Sequence, residues 1–180
     1  MVKLLLSTEG IDVNWVSPFS GETALHWAAA GSNKECEECL KLLLTVKGIN
    51  VDAFDKKERT PLYRAAEEGY NERVELLLKA HANVNKSGQV NFSPVYAAIN
   101  GNHPQTLRIL LEAGANVHGN AEFPPLHSAI LSKRKECVKI LIEFGADINK
   151  KFNGKTPLEK AKSNRDAEII RLLQKAGAKK

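Results

Sequence analysis

The sequence predicts an all-α solenoid, a row of stacked helix-turn-helix units, and three observations predict it. A short phrase recurs five times, as Thr23-Ala24-Leu25-His26, Thr60-Pro61-Leu62-Tyr63, Ser93-Pro94-Val95-Tyr96, Pro124-Pro125-Leu126-His127 and Thr156-Pro157-Leu158-Glu159. Its starts lie 37, 33, 31 and 32 residues apart, and a fixed period of this size marks one supersecondary unit copied in tandem. An Ala follows five residues after each start (Ala28, Ala65, Ala98, Ala129, Ala161), then an aliphatic cluster such as Leu76-Leu77-Leu78 or Ile140-Leu141-Ile142. Third, Pro stands second in four of the phrases, where its fixed φ suits the first helical position and its missing N–H costs nothing; a preceding Ser or Thr can cap the free N–H groups.

Taken in order, the chain starts on half a unit. Val2-Lys3-Leu4-Leu5-Leu6 and Gly10-Ile11-Asp12-Val13-Asn14 match a second helix and its closing phrase, with Gly48-Ile49-Asn50-Val51-Asp52 as the twin one repeat later. Residues 1–14 therefore form a half repeat, and a fragment of a longer protein is the expected reading. Full repeats start near residues 15, 53, 86, 119 and 150, all in one domain over 1–180. In the first, about three extra residues fall between the helices near Gly31 to Glu35 and one more near Lys47, both in turns, where loop entropy grows slowly with length. In the second, Leu62, Ala65 and Ala66 share one helix face, and Val74, Leu77 and Leu78 of the next helix pack against it. The third opens at Pro94. In the fourth, Pro124 stands where the other phrases carry Thr or Ser, so this repeat is expected to be the least regular and the least stable. The fifth is polar on the side with no neighbour, through Arg165, Asp166, Glu168, Arg171, Gln174, Lys175, Lys179 and Lys180, as the cap of an array should be.

These phrases, with the closing Ala82-Asn83-Val84-Asn85, Gly114-Ala115-Asn116-Val117 and Gly145-Ala146-Asp147-Ile148-Asn149, closely resemble the ankyrin repeat from end to end, and most fully over 59–85. The resemblance implies an ankyrin-repeat solenoid in which a turn, a short helix, a tight reversal, a longer helix and a β-hairpin-like loop follow one another. It also implies that the hydroxyl which bonds the phrase histidine is missing beside His127.

Composition excludes several classes. With 180 residues, 43% of them hydrophobic, the chain is ample for one continuous core, and no apolar run reaches the roughly 18 residues of a membrane span. Three Cys without disulfide-framework spacing point to a reducing, intracellular and most simply cytoplasmic setting. Cys36 and Cys39 form a single C-x-x-C, and Cys39 shares its repeat slot with Cys137, so buried structural thiols are the better reading than metal ligands with His26. Gly154-Lys155-Thr156 resembles the end of a phosphate-binding loop, but Asn149 occupies the position of the required earlier Gly. No Ser, Cys or carboxylate recurs beside the five His, so the chain offers no basis for an enzyme reading, and neither cofactor nor metal is expected.

Binding is the remaining use of such a surface. In families of this type the hairpin tips and the outward side of the short helix line a concave groove. The resemblance then places Trp27, Arg64, Ala97, Ser128 and Lys160 on the groove, with Glu67, Glu68, Asn100, Gly101, Leu131 and Ser132 beside them; for Trp27 the alternative is packing under a neighbouring loop. Aromatics collect in the loops before each phrase (Trp15 and Phe19, Phe54, Phe92, Phe123, Phe152); Phe19, Phe54 and Phe152 are expected to stand out, and Phe92 and Phe123 to act as hydrophobic staples. Trp and other aromatics dominate interface energies, so Trp15, Phe19, Trp27, Phe54, Arg64, Glu67, Glu68, Asn100 and Phe152 are the expected partner-binding residues. Residues 1–90 carry a net charge of −2 and residues 91–180 one of +7, which favours acidic ligands for the second half or simply its solubility. The expected function is a monomeric protein-binding scaffold module whose partner is another protein, with nucleic acid disfavoured and no membrane role. The alternative is a targeting or regulatory segment of a larger enzyme or effector.

Overall fold

The computed structural model describes residues 10–88, 93–119 and 123–178. The predicted helix around Val2 to Leu6, Phe92, Lys179 and Lys180 lie outside these residues. The described chain is all-α. Five short first helices, α1 (Ala24–Ala30), α3 (Pro61–Glu68), α5 (Pro94–Gly101), α7 (Pro125–Leu131) and α9 (Pro157–Ser163), alternate with five second helices. The latter are α2 (Lys34–Leu44), α4 (Asn71–Lys79), α6 (Pro104–Glu112), α8 (Lys135–Glu143) and α10 (Ala167–Lys175).

The helix starts follow from the phrases. Pro61, Pro94, Pro125 and Pro157 each open a first helix. Thr60 Oγ1 accepts the Tyr63 N–H at 3.1 Å, and Thr156 exchanges bonds with Glu159 in a capping box, the Thr156 N–H reaching Glu159 Oε2 at 2.7 Å. Each first helix packs on its own second helix and on the first helix of the next unit, while the second helices form a parallel row behind. Nearest-neighbour stacking of this kind makes one continuous core out of units that could not bury their faces alone. Leu62, Ala65, Ala66, Val74 and Leu77 are fully buried in it, and the equivalent Ala98, Ala129 and Ala161 let the paired helices approach.

The extra residues of the first repeat differ in part from expectation. Only part of them lengthens a turn: Gly31, Ser32 and Asn33 separate α1 from α2, α2 has 11 residues where the other second helices have 9, and 16 residues join α2 to α3 where the later connections have 12 to 14, so the extra residue expected near Lys47 does fall in a turn. Asn33 accepts the Cys36 N–H on its side chain at 3.0 Å, a cap that supports the start of this longer helix.

Successive units are tied by two sets of hydrogen bonds. From the second helix or the turn before it, each unit reaches back to carbonyls at the end of the previous first helix. His103 Nε2 meets the Glu67 carbonyl at 3.1 Å, Arg134 the Asn100 carbonyl at 3.2 Å, Asn164 the Ile130 carbonyl at 3.1 Å, and Arg73 the carbonyls of Ala29, Gly31 and Asn33. Behind the second helices, closing phrases form a ladder: Asn14 bonds Gly48 and Asn50, Asp52 accepts the Asn83 N–H, and Asn85 bonds Gly114 and Asn116. The turn entering this ladder needs a left-handed residue, supplied by Gly48, Gly114 and Gly145 but by His81, at φ 63°, in the second repeat.

Candidate functional site

The loops before the first helices project as fingers. The first is closed by the Ser17 N–H on the Glu22 carbonyl (2.9 Å), the second by the Asp55 N–H on the Arg59 carbonyl (3.0 Å), and the last by paired bonds between Phe152 and Lys155. These hairpin-like tips present the aromatic residues.

The apolar exposure gathers in the first unit. Trp27 is 64% exposed and Trp15 60%, and the two indoles line one cleft of about 260 Å³ with Ile11, Val13, Ala24 and Leu43, bordered by Asp12 and Glu22. Phe19 stands on the first finger tip, 90% exposed. Phe54, at 37%, is covered on one side by Lys86, whose ammonium lies 5.1 Å from the ring centroid. Phe152 differs from expectation. It is half-buried, its ring edge-to-face with Phe123 (5.0 Å) and with His127 (5.6 Å). Phe123 in turn stacks on Tyr96, 6.0 Å away, and its carbonyl accepts the Tyr96 hydroxyl, so it bridges three units. Burial holds the Tyr96 phenol well above the usual tyrosine range.

The slot occupied by Trp27 does not open uniformly on the groove. Arg64 and Lys160 reach solvent, but Ala97 and Ser128 are buried. This slot lies where successive first helices meet, so only a long side chain escapes the contact. Gly101, Leu131 and Ser132 are exposed, as are Glu68 and Asn100. Glu68 and Asn100 make no common cluster with the tryptophans.

Arg64 and Glu67 do come together, at 2.8 Å, inside a larger network that sequence reading missed. Arg59 binds Asp55 at 2.7 Å and lies 3.8 Å from Glu67 and 4.0 Å from Glu22, and Arg64 lies 3.8 Å from Glu22. Burial would raise the Asp55 carboxyl, but bonds from the Arg59 side chain and backbone outweigh it and hold the group low. The available signal was the Asp55-to-Arg59 spacing across a finger tip. On the inner side of the same network His26 Nε2 meets the Arg59 carbonyl at 2.9 Å, and His26 Nδ1 accepts the Thr23 N–H and lies 2.9 Å from the Thr23 hydroxyl. Both nitrogens are therefore used structurally, and burial depresses the His26 pKa. At the equivalent His127 the Nε2 bond to the Lys155 carbonyl is kept (3.2 Å), while Nδ1 has no partner because Pro124 supplies neither hydroxyl nor N–H. The expected irregularity of the fourth repeat shows here and not in the helix, since α7 has the same seven residues as α1 and α9.

Among the described residues no three His, Cys, Asp or Glu groups cluster to hold a metal, and no helix is long and apolar enough to cross a membrane. Cys137 is buried and its thiol is pushed up to about 11, mainly by desolvation, which makes it an unreactive core group. Cys36 and Cys39 are half-buried free thiols.

Comparison with known proteins agrees with this architecture. The family model for ankyrin repeats, a block of three copies, matches residues 1–88 and again 89–180. The crystal structure of the human ASB11 ankyrin repeat domain superposes with a TM-score of 0.83 at 30% identity, covering 98% of this chain and 78% of that one. The B-cell lymphoma 3 protein homolog of Mus musculus is 39% identical over 84 residues, 46% of this chain and 18% of its own length. The "Probable E3 ubiquitin-protein ligase XBOS32" of Oryza sativa subsp. japonica is 26% identical over 165 residues, 90% of this chain and 32% of its own length. The chain thus spans less than a third of the curated relatives it matches.

Proposed function

The chain belongs to the ankyrin-repeat family, and from that premise we propose that it is a protein-binding scaffold that grips its partner through the concave groove and finger tips of the first two units. The observation that carries this reading is the exposed aromatic group: Trp15 and Trp27 lining one cleft, with Phe19 and Phe54 on the neighbouring fingers. A core-forming fold gains nothing by presenting such side chains to water, whereas an interface gains most from them. Arg64 and Glu67 serve as the polar border of this surface. The Arg59 and Arg64 network fixes the groove floor before binding, so little ordering entropy is lost on docking. The module works as a monomer without catalytic groups of its own, and its three unbridged thiols suit a reducing cytoplasm.

A second reading is favoured by one observation. The rice relative named as a ubiquitin-protein ligase matches 90% of this chain but extends far beyond the match, which fits a targeting segment of a larger protein whose chemistry lies elsewhere.

The experiment is an affinity capture from cell lysate with the native chain beside a Trp15→Ala, Trp27→Ala, Phe54→Ala variant, both verified as folded by far-ultraviolet circular dichroism. A partner held by the native chain and lost by the folded variant supports the reading; equal recovery by both overturns the assignment to this surface.

A further inference from the structure

A second, chemically different pocket lies at the other end of the groove. It has a volume of about 310 Å³ and is lined by His127, Leu131, Phe152, Asn153, Lys155 and Lys160. One wall is apolar: Leu131 is 40% exposed, and the Phe152 ring is held in place by its edge contacts to Phe123 and His127. The rim is cationic. Lys155 reaches only the Ser163 hydroxyl, at 3.2 Å, and neither it nor Lys160, Lys150 or Lys151 forms an ion pair among the described residues. The carboxylate of Glu159, beside Lys160 in sequence, is taken by the Thr156 N–H at the start of α9.

The contrast with the first two units is informative. There Arg59 and Arg64 are neutralised by Asp55, Glu22 and Glu67, whereas here, among the described residues, the pocket lysines form no ion pair, the Glu159 carboxylate acting on Lys151 and Lys155 only through space, in the half of the chain whose net charge is +7. The charges bear on the pocket wall itself: burial above all, with smaller contributions from Lys150 and Lys160, depresses the His127 pKa. The complement of such a pocket is an apolar side chain with an anionic group next to it. In a protein that is a Glu or Asp beside Leu or Phe. A nucleic acid would want an open aromatic face for its bases, and the Phe152 ring is engaged by two neighbours.

Resting on the reading of the chain as a protein-binding scaffold, we infer that this pocket captures an acidic-hydrophobic segment of the partner, its apolar side chain against Leu131 and Phe152 and its carboxylate between Lys155 and Lys160. The lysines orient the segment by charge.

The test is selection of phage-displayed random twelve-residue peptides on the full chain. Enriched peptides are then synthesised with a fluorescein label and measured by anisotropy against the native chain, a Lys155→Glu, Lys160→Glu variant and a Trp15→Ala, Trp27→Ala variant. The expected result is enrichment of Glu or Asp beside Leu or Phe, with affinity falling about tenfold in the lysine variant, falling again with added salt, and falling when the acidic residues become Gln or Asn. Peptides without acidic residues, or acidic peptides bound equally by the lysine variant, would overturn the pocket; if the tryptophan variant loses them, the scaffold reading survives alone. Failure of every peptide overturns both readings. Binding of a labelled twelve-nucleotide oligothymidine in a lysine-dependent manner, with no peptide bound, assigns the pocket to nucleic acid and overturns it equally.

Discussion

Arg73 donates from Nη2 to the carbonyl of Asn33 at 2.9 Å, joining the second unit to the turn of the first across 40 residues of sequence. The same guanidinium serves the carbonyls of Ala29 and Gly31 and packs 4.2 Å from the centre of the Tyr70 ring. Asn33 is also the residue whose side chain caps the extended α2, so a single buried cation closes the end of α1 and holds the turn that leads into α2.

Replacing Arg73 by Ala should therefore lower the unfolding free energy by roughly 2–3 kcal/mol, because three carbonyls lose a charged donor in a buried place. Arg73→Lys should recover only part of this, since an ammonium lacks the planar fork that reaches several carbonyls at once. Urea denaturation followed by circular dichroism checks both values, and an unchanged midpoint for Arg73→Ala would refute the role.

Stability should fall on mild acidification. His26 and His127 are held neutral by burial, so their folded pKa values lie below the ordinary 6.5 of the unfolded chain. The unfolded chain then takes up more protons as the pH drops, and the stability these two residues contribute is present above pH 6.5 and is lost as the pH falls through their folded values. Thermal midpoints measured from pH 7.5 down to 5, above the main carboxylate range, should decline, and less steeply in a His127→Gln variant.

Pro124→Thr should stabilise the fourth unit. A Thr at this position restores both a hydroxyl and an N–H beside the orphaned His127 Nδ1. Satisfying a buried polar atom gains about 1–3 kcal/mol, against a loss of up to about 1 kcal/mol from the freer unfolded chain, which leaves a net gain of roughly 1 kcal/mol. Chemical denaturation of the two proteins side by side measures it.

His81→Gly should also be stabilising, by up to about 1 kcal/mol. His81 is exposed and sits at φ 63°, where Gly48, Gly114 and Gly145 stand in the sister repeats, so relief of left-handed strain outweighs the entropy of one Gly. A rise in the urea midpoint is the expected outcome; a fall would show that the imidazole makes a contact worth more than the strain.

Much of the frame was legible because it is written locally. The position of Pro61 or Pro157 fixes a helix start through its own φ, and the spacing of Leu62, Ala65 and Val74 fixes which faces are buried, whatever lies further along the chain. The surface was legible only where a side chain is too large to hide. Trp27 and Phe19 are exposed as expected, but Ala97 and Ser128, assigned to the groove by the same register, vanish beneath the adjoining helix. Phe152 was expected to stand out and instead leans on Phe123 and His127, a contact between repeats that no pattern within one repeat encodes.

By itself the sequence determined the repeat, its helices and its family, since these depend on short-range periodicity and on residues that dictate their own backbone geometry. The tertiary structure alone decided that two of the first repeat's extra residues lengthen α2, that Arg73, His103, Arg134 and Asn164 act as one device, and that Lys155 and Lys160 line a pocket without an ion pair among the described residues. The physical reason is distance along the chain. Burial and charge at these positions are set by neighbours some 30 to 40 residues away, and their meeting is fixed only when the units stack.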